Sequence, residues 1–258
     1  MKDEHTVERA SAREVFGRRA AYYTTSATHT EAGVLERVVA LSQVLPGDRV
    51  LDVGTGTGHT ALALAPHVSE VIGLDLTPEM LAEAENLRQA AGLDNLRWQL
   101  GDVAALPWPD DSFDVVTCRR AAHHFTDMPR AMAEMRRVLR PGGRLVIDDR
   151  TVPEDRELDL LLNQLDLLHD HSHVREYSAV EWAAYCEAVG LVLDSLEPYT
   201  RHRHLSSLTA GVSAEDVAEI ERLVGALSAD QRATLDLQER DDGYWFNHYY
   251  LLVAAHRP

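Results

Sequence analysis

The amino-acid sequence predicts an α/β fold in which a mostly parallel β-sheet is covered by helices on both faces. Short apolar runs, typical of buried strands, alternate with helical stripes through the middle of the chain. A glycine-rich turn directly follows the first of these runs, within the segment VLDVGTGTGHT at residues 50–60. Alternating strands and helices favour right-handed crossovers between parallel strands, which is the doubly wound arrangement.

Five strand candidates precede residue 150, and each is short and apolar enough to be buried on both faces. They are residues 49–53, 70–75, 96–100, 113–118 and 143–149. After the second strand, Thr77 and Pro78 provide a helix cap and a first-turn proline, and Gly92 ends that helix. Another helix follows Asp127 and ends before RPGG at 140–143. This part of the chain therefore predicts five parallel strands joined by helices.

After residue 150 the regular alternation stops and helical patterns dominate. A leucine stripe at 154–170 predicts a helix with one wide apolar face. Ser178, followed three residues later by Glu181, has the pattern of a capping box and starts a further helix. Two more helices are predicted to begin near Ser213 and Ser228.

Two more strands are predicted in this second half. LVLDSLE at 191–197 is the sixth strand, and YWFNHYYLLVAAH at 244–256 is a long final strand that can return antiparallel to the sheet. The alternation RHRH at 201–204 fits a cationic rim or an edge strand, and we favour the edge strand. Residues 151–177 and 200–243 are predicted insertions over the ligand end of the sheet.

Composition and charge exclude several classes of protein. The chain has 258 residues, with 42 acidic and 25 basic side chains, and its formal charge of −17 repels phosphate backbones and anionic membranes. Its two cysteines form no paired metal motif and suit a reducing compartment. The first residues are charged, and no apolar run approaches the roughly 18 residues of a membrane span. We therefore expect a cytoplasmic enzyme with no nucleic-acid partner and no membrane span.

The glycines of the first turn predict a ligand site. In an open parallel sheet, ligands bind beyond the carboxyl ends of the strands, where Gly54, Gly56 and Gly58 lie. Asp75 ends the second strand, where a carboxylate can accept hydrogen bonds from both hydroxyls of a ribose. The dinucleotide fingerprint GxGxxG would require glycine in place of His59, and the spacing here is GxGxG. The pattern favours a nucleoside ligand other than a nicotinamide dinucleotide.

Four segments, in this order, resemble the motifs of the class I S-adenosylmethionine-dependent methyltransferases, and the third of them includes two of those motifs. They are VLDVGTGTGHT, VIGLDLTPEML, GDVAALPWPDDSFDVVTCRRAAHHF and EMRRVLRPGGRLVI, within residues 46–150. The resemblance is in particular to the small-molecule group that includes the ubiquinone and menaquinone C-methyltransferases. This resemblance implies a Rossmann-like sheet of seven strands with the last antiparallel, helical insertions over the active site, and S-adenosyl-L-methionine as the cofactor, leaving S-adenosyl-L-homocysteine.

The resemblance also implies how one domain, residues 1–258, is divided. Residues 1–45 form an N-terminal helical segment, 46–150 the cofactor-binding half, and 151–258 the acceptor-side half. The implied cofactor contacts are Asp52, Gly54, Gly56, Gly58 and Arg119 beside the methionine part, Asp75 and Leu76 at the ribose, and Asp102 and Val103 at the adenine.

Methyl transfer is an in-line displacement at carbon, so the protein mainly positions and desolvates the two reactants. An acceptor atom that must lose a proton benefits from a general base. His123 and His124, just past the fourth strand, are the first catalytic candidates. The alternative is that one of them caps a turn or binds the carboxylate of the cofactor.

The acceptor site has weaker candidates. His171, His173 and Arg175 follow the leucine stripe, near the point where an acceptor should enter, and a solvated helix end is the alternative. Asp149 ends the fifth strand and can seat a hydroxylated acceptor or an amine, or cap the following loop. No cysteine or acidic triad completes a metal site with these histidines, so no metal is predicted.

The sequence therefore predicts transfer of a methyl group to oxygen, carbon or nitrogen of a small, largely apolar acceptor. Two alternatives keep the same cofactor: an enzyme that uses it for rearrangement, elimination or decarboxylation, and a non-catalytic binding protein. A nicotinamide-dependent oxidoreductase shares the fold class, and the GxGxG spacing disfavours it.

Overall fold

The computed structural model describes residues 11–25 and 31–258, and within them eight strands form one mixed sheet. The strands are β1 (Arg49–Val53), β2 (Glu70–Asp75), β3 (Leu96–Leu100), β4 (Phe113–Arg119), β5 (Leu139–Arg150), β6 (Val192–His204), β7 (Gln238–Arg240) and β8 (Gly243–His256). Their order is β3-β2-β1-β4-β5-β8-β6, and β7 pairs with β8. The first five strands are parallel, and β8 runs antiparallel between β5 and β6. The predicted fold class is confirmed, and β7 is an additional strand.

Helices surround the sheet, and most of them lie where the sequence predicts, whereas the two short helices at residues 59–64 and 206–209 were not predicted. They are α1 (Ala12–Thr25), α2 (Ala32–Ser42), α3 (His59–Leu64), α4 (Pro78–Ala91), α5 (Met128–Val138), α6 (Arg156–His169), α7 (Ala179–Ala188), α8 (Ser206–Thr209), α9 (Ala214–Gly225) and α10 (Ala229–Thr234). Part of the predicted N-terminal helical segment, residues 1–10 and 26–30, lies outside the described residues.

Side-chain caps explain where several of these helices begin. The Asp127 carboxylate accepts the Arg130 N–H at the start of α5. Ser178 forms both hydrogen bonds of a capping box with Glu181 at the start of α7. The Ser213 hydroxyl accepts the Asp216 N–H at the start of α9, and Ser228 forms a capping box with Gln231 at the start of α10. Thr77 stands at the N-cap of α4 without a side-chain cap bond.

The edge strand β6 is longer than predicted. It pairs with β8 from Val192↔His256 to His204↔Trp245, and it is the last strand on its side of the sheet. Residues 201–204 therefore belong to an edge strand, as the sequence favoured.

The insertions form an apolar layer of their own. Leu158, Leu162 and Leu165 of α6 pack with Ile220 of α9 and Phe246 of β8. Residues 200–243 thus pack against α6. The segment that follows α6 reaches the ligand end of the sheet. Among the described helices, none combines the length and apolar character that a bilayer span requires.

Candidate active site

A cavity of about 380 Å³ opens at the carboxyl ends of β1, β2 and β4. Loops after the first four strands form its floor, and the first turns of α1 and residues 171–174 complete its wall. Residues 200–243 contribute no lining among the described residues, so only the first of the two predicted insertions reaches the cavity. Both its position and its volume are typical of small-molecule sites.

The glycine turn after β1 forms one wall of this cavity. Gly54 and Gly56 line it with left-handed backbones, at φ of 63° and 54°. A Cβ atom at Gly54 would collide with the Cβ of Ala121. Gly58 is not among the lining residues, and a Cβ atom there would lie 2.6 Å from the Trp98 ring. The first two glycines therefore expose backbone to a ligand, whereas the third allows close packing behind the turn.

Asp52 lies behind the turn and is not among the lining residues. Its carboxylate accepts hydrogen bonds from the hydroxyls of Thr55, at 2.6 Å, and Thr117, at 2.7 Å. Burial raises the pKa of Asp52 to about 6, although the two hydroxyls favour its charged form. Asp52 thus fastens the turn to β4.

Asp75 lines the cavity at the end of β2. Its Oδ2 accepts the Gly56 N–H at 2.8 Å, and its Oδ1 accepts the Thr77 N–H at 2.9 Å. Burial raises the pKa of this carboxyl group, and the two backbone donors oppose the shift. Each carboxylate oxygen can accept a further hydrogen bond, so Asp75 can also take the hydroxyls of a ribose.

The neighbouring lining residues fit the rest of a nucleoside. Leu76 lines the cavity and is 43% exposed, and Val103, in the loop after β3, also lines it. Asp102 lines the cavity and accepts the Ala104 N–H at 2.9 Å. Bare glycine backbone, a carboxylate acceptor and apolar walls for a flat base together match the requirements of an adenosyl group.

Two arginines follow β4. Arg119 lines the cavity, and its Nε donates to the Thr60 hydroxyl at 2.9 Å. Arg120, which the sequence analysis missed, also contributes to the lining and has a left-handed backbone at φ 55°. Its guanidinium donates to Asp148 at 3.0 Å and to the Tyr199 hydroxyl at 2.8 Å. The two adjacent arginines at the end of β4 were the sequence signal that could have identified Arg120.

The predicted histidine pair is divided between two roles. His124 lines the cavity, whereas His123 is not among the lining residues. His123 Nδ1 lies 2.5 Å from Asp149 Oδ1. Burial would raise the pKa of Asp149, but His123 and the Arg150 N–H lower it to about 2. Asp149 therefore orients His123, and it is not among the residues that line the cavity.

The His124 ring lies between the His123 ring, with centroids 4.0 Å apart, and the Phe16 ring, at 4.8 Å. Its Nδ1 is 3.2 Å from both the carbonyl oxygen and the hydroxyl oxygen of Ser172. Burial and the adjacent His123 lower the pKa of His124 to about 3. At neutral pH its imidazole is uncharged and keeps one nitrogen lone pair.

The segment after α6 supplies the remaining candidates. His171 and His173 line the cavity, and Arg175 does not. Arg175 instead joins α6 to α7 through ion pairs with Asp159 at 3.0 Å and Glu181 at 2.9 Å. Within the described part of the chain, no group of three or more potential ligand residues is placed to hold a metal ion.

Several further lining residues were not predicted from the sequence, because their positions depend on tertiary contacts. They include Phe16, Thr60, Met80, Phe125, Ser172 and Val174. Ser172 stands inside the histidine-rich segment that the sequence had singled out, and its position between His171 and His173 was a usable signal.

Comparison with known proteins gives consistent matches. A family model described as "Methyltransferase domain" matches residues 51–147. The uncharacterized methyltransferase YcgJ of Bacillus subtilis is 42% identical over 184 residues, which cover 71% of this chain and 73% of the relative. The demethylmenaquinone methyltransferase of Deinococcus radiodurans is 51% identical over 104 residues, or 38% of this chain and 42% of the relative.

Solved structures extend the similarity to nearly the whole chain. The crystal structure of YcgJ aligns with a TM-score of 0.83 and 36% identity, covering 87% of this chain and 98% of that one. A geranyl diphosphate methyltransferase in complex with S-adenosylmethionine aligns with a TM-score of 0.65 and 18% identity over the full length of both chains. The second structure shares the fold.

Proposed function

The chain belongs to the methyltransferase family, and we propose from this membership how its own residues carry out the reaction. It is an enzyme that transfers a methyl group from S-adenosylmethionine to a small molecule. We infer that His124 takes the proton that the acceptor loses. The observation that carries this inference is a neutral imidazole that lines the cavity with its Nδ1 already engaged by Ser172.

In the cofactor half of the cavity, a different group of residues would contact each part of the ligand. Asp75 would hold the ribose hydroxyls, as its position and remaining acceptor capacity support. Leu76, Asp102 and Val103 would surround the adenine, and the methionine part would lie against Gly54, Gly56 and Arg119. We assign Asp52 and Gly58 to support of the turn, since neither is among the lining residues.

Bound S-adenosylmethionine supplies a methyl group on a sulfonium centre, whose positive charge is lost as the methyl group leaves. His124 accepts the acceptor's proton and so gains a positive charge. The net charge of the cavity is then unchanged, which allows a buried imidazole of low pKa to serve as the proton acceptor. His123, held by Asp149, packs against the His124 ring and keeps it in place.

The acceptor half favours a small, largely apolar molecule. Phe16, Phe125 and Val174 contribute apolar surface beside His124, and His171 and His173 add polar groups. We propose that the acceptor carries a proton on its nucleophilic oxygen, carbon or nitrogen atom. The name of the Deinococcus relative makes reduced quinones the first acceptors to test.

We further propose that the enzyme acts in the cytoplasm without a nucleic-acid partner and as one domain. The charge of −17 disfavours polyanions, and Cys118 and Cys186 are both free and buried thiols. The sheet includes strands from both halves of the chain, which supports a single folding unit.

The test replaces His124 by alanine and uses His67→Ala as the control, because His67 is exposed and is not among the lining residues. Formation of S-adenosylhomocysteine is measured across a panel of hydroquinones, phenols and amines. We expect His124→Ala to lower kcat about 100-fold or more while the Kd for S-adenosylmethionine stays close to that of the wild type. An unchanged kcat in His124→Ala would remove the proposed base.

A further inference from the structure

We propose that Asp170 and Ser172 are positioning residues that hold His124 in the tautomer with its proton on Nδ1 and its lone pair on Nε2. The inference rests on the proposed role of His124 and adds the residues that prepare it. Both belong to the turn that follows α6, so the insertion would complete the catalytic site.

Hydrogen-bond chemistry fixes the direction of each contact. The Ser172 carbonyl oxygen, 3.2 Å from His124 Nδ1, can only accept a proton. The Ser172 hydroxyl donates its proton to Asp170 Oδ1 at 2.6 Å, so its oxygen can only accept from the imidazole at 3.2 Å. Nδ1 therefore faces two acceptors and must carry the hydrogen. The basic nitrogen of His124 is Nε2, and no described residue forms a hydrogen bond with it.

The turn that presents these acceptors is fixed at both ends. Asp170 Oδ1 also accepts the Ser172 N–H at 2.9 Å, and the Asp170 carbonyl accepts the His173 N–H at 2.8 Å. The next two N–H groups, of Val174 and Arg175, donate to the His123 carbonyl at 2.9 and 3.1 Å. The turn is thus joined by backbone bonds to the residue that precedes His124.

The neighbouring histidines are held by different partners. His123 donates from Nδ1 to Asp149. Asn163 donates from its side-chain nitrogen to Asp159, so its Oδ1 accepts from His173 Nε2 at 3.0 Å. His173 therefore has its proton on the nitrogen that is basic in His124. The surrounding polar groups specify one tautomer for each ring.

Asp170 is the residue on which this arrangement depends. If its carboxylate is removed, the Ser172 hydroxyl is free to rotate and donate to His124 Nδ1, which would transfer the ring proton to Nε2. An imidazole in that form carries its hydrogen on Nε2, the nitrogen with no hydrogen bond to a described residue, and cannot accept a proton there. Removing the hydroxyl as well leaves only the carbonyl, which again requires a proton on Nδ1.

The hydrogen bonds of Asp170 and Ser172 predict different tautomers of His124 in three variants. Asp170→Ala should populate the wrong tautomer and lower kcat about 5-fold, the effect of one net hydrogen bond. Ser172→Ala should retain the wild-type tautomer, and Asp170→Ala combined with Ser172→Ala should restore the tautomer and most of the lost kcat. The Kd for S-adenosylmethionine should stay near the wild-type value in all three. Asp155→Ala, which removes the cap at the other end of α6, is the matched control.

The measurement is long-range ¹H–¹⁵N NMR of the full chain labelled at histidine, with His124 assigned by its absence in His124→Gln. We expect a protonated Nδ1 and an unprotonated Nε2 for His124 in the wild type. A protonated Nε2 in the wild type, or failure of the double variant to return His124 to the wild-type tautomer, would overturn the inference. The NMR result is independent of turnover. The kcat of His124→Ala therefore tests the proposed base, and the NMR spectra test the proposed tautomer, so failure of one can be distinguished from failure of the other.

Discussion

At the scale of single residues, the site separates side chains that face the cavity from side chains that hold them. Asp75 and His124 line it, whereas Asp52 and Asp149 stand behind and fix Thr55 and His123 respectively. The sequence located all four near the ligand end of the sheet. It could not tell which of these side chains face the cavity, because their orientation depends on the backbone angles of the turns and on which neighbours supply hydrogen-bond donors.

Asp52 gives a pH dependence of stability with a definite sign. Its folded pKa of about 6 is higher than the ordinary value of 3.8, so between these values the folded state binds more protons than the unfolded state. The free energy of unfolding should therefore fall as pH rises from about 4 through 6, by up to roughly 3 kcal/mol from this group. Thr55, Thr117 and Arg119 favour the charged carboxylate and moderate the upward shift, whereas the negative charge of Asp75 adds to it.

The variant Asp52→Asn isolates this contribution, because asparagine does not titrate. Urea denaturation of the two proteins at pH 5, 6 and 7 measures the difference in their free energies of unfolding. We expect the wild type to lose stability relative to Asp52→Asn as pH rises. A difference that is constant over this range would mean that Asp52 is already charged at pH 5.

At the scale of elements, the capped helices and the buried parallel strands were predictable, since each carries a local signal. The observed β1, β2 and β3 have the predicted bounds, and α4 runs from Pro78 to the residue before Gly92. The predicted sixth strand ended at Glu197, directly before Pro198, which has no backbone N–H to donate to a sheet. The structure continues through it because β6 is an edge strand that pairs with β8 on one side.

The short elements α8 and β7 were missed because their sequences carry no periodicity. β7 has three residues and forms only against β8. Its existence is a consequence of tertiary pairing, which local patterns do not contain.

Arg120 links elements that the sequence treats separately. Its guanidinium joins the loop after β4 to Asp148 of β5 and Tyr199 of β6, and it lies 3.8 Å from the centroid of the Tyr250 ring of β8. The Asp148 side chain is 0% exposed, so removal of its partner leaves a buried charge. The left-handed backbone adds a cost of about 1 kcal/mol for any residue with a Cβ atom.

Two substitutions separate these effects. Arg120→Ala should lower the free energy of unfolding by about 3–5 kcal/mol, as breaking one side of a buried pair does. Arg120→Gly loses the same guanidinium but relieves the backbone, and it should be about 1 kcal/mol more stable than Arg120→Ala. Urea unfolding measures both. Equal stability of the two variants would show that the left-handed backbone is not strained.

At the scale of the whole molecule, the proposed cofactor half and acceptor half of the cavity differ in how far the sequence alone predicts them. The cofactor half consists of local motifs on strand ends, so its glycines, Asp75 and Asp102 could be identified directly. The acceptor half depends on how α1, the turn after α6 and the loop after β4 meet around one cavity. Residues such as Phe16 and Ser172 acquire their roles only there.

The most direct test of the account is calorimetric titration of the wild type and of Asp75→Asn with S-adenosylmethionine, S-adenosylhomocysteine and a nicotinamide dinucleotide. Removing the carboxylate charge should weaken both adenosyl ligands by about 1–3 kcal/mol, because charge-assisted hydrogen bonds to the ribose are lost. Asp110→Asn, at an exposed side chain, serves as the control. We expect saturable binding of the two adenosyl ligands alone, weakened in Asp75→Asn and unchanged in the control. Wild-type affinity in Asp75→Asn, or preference for the dinucleotide, would contradict the account.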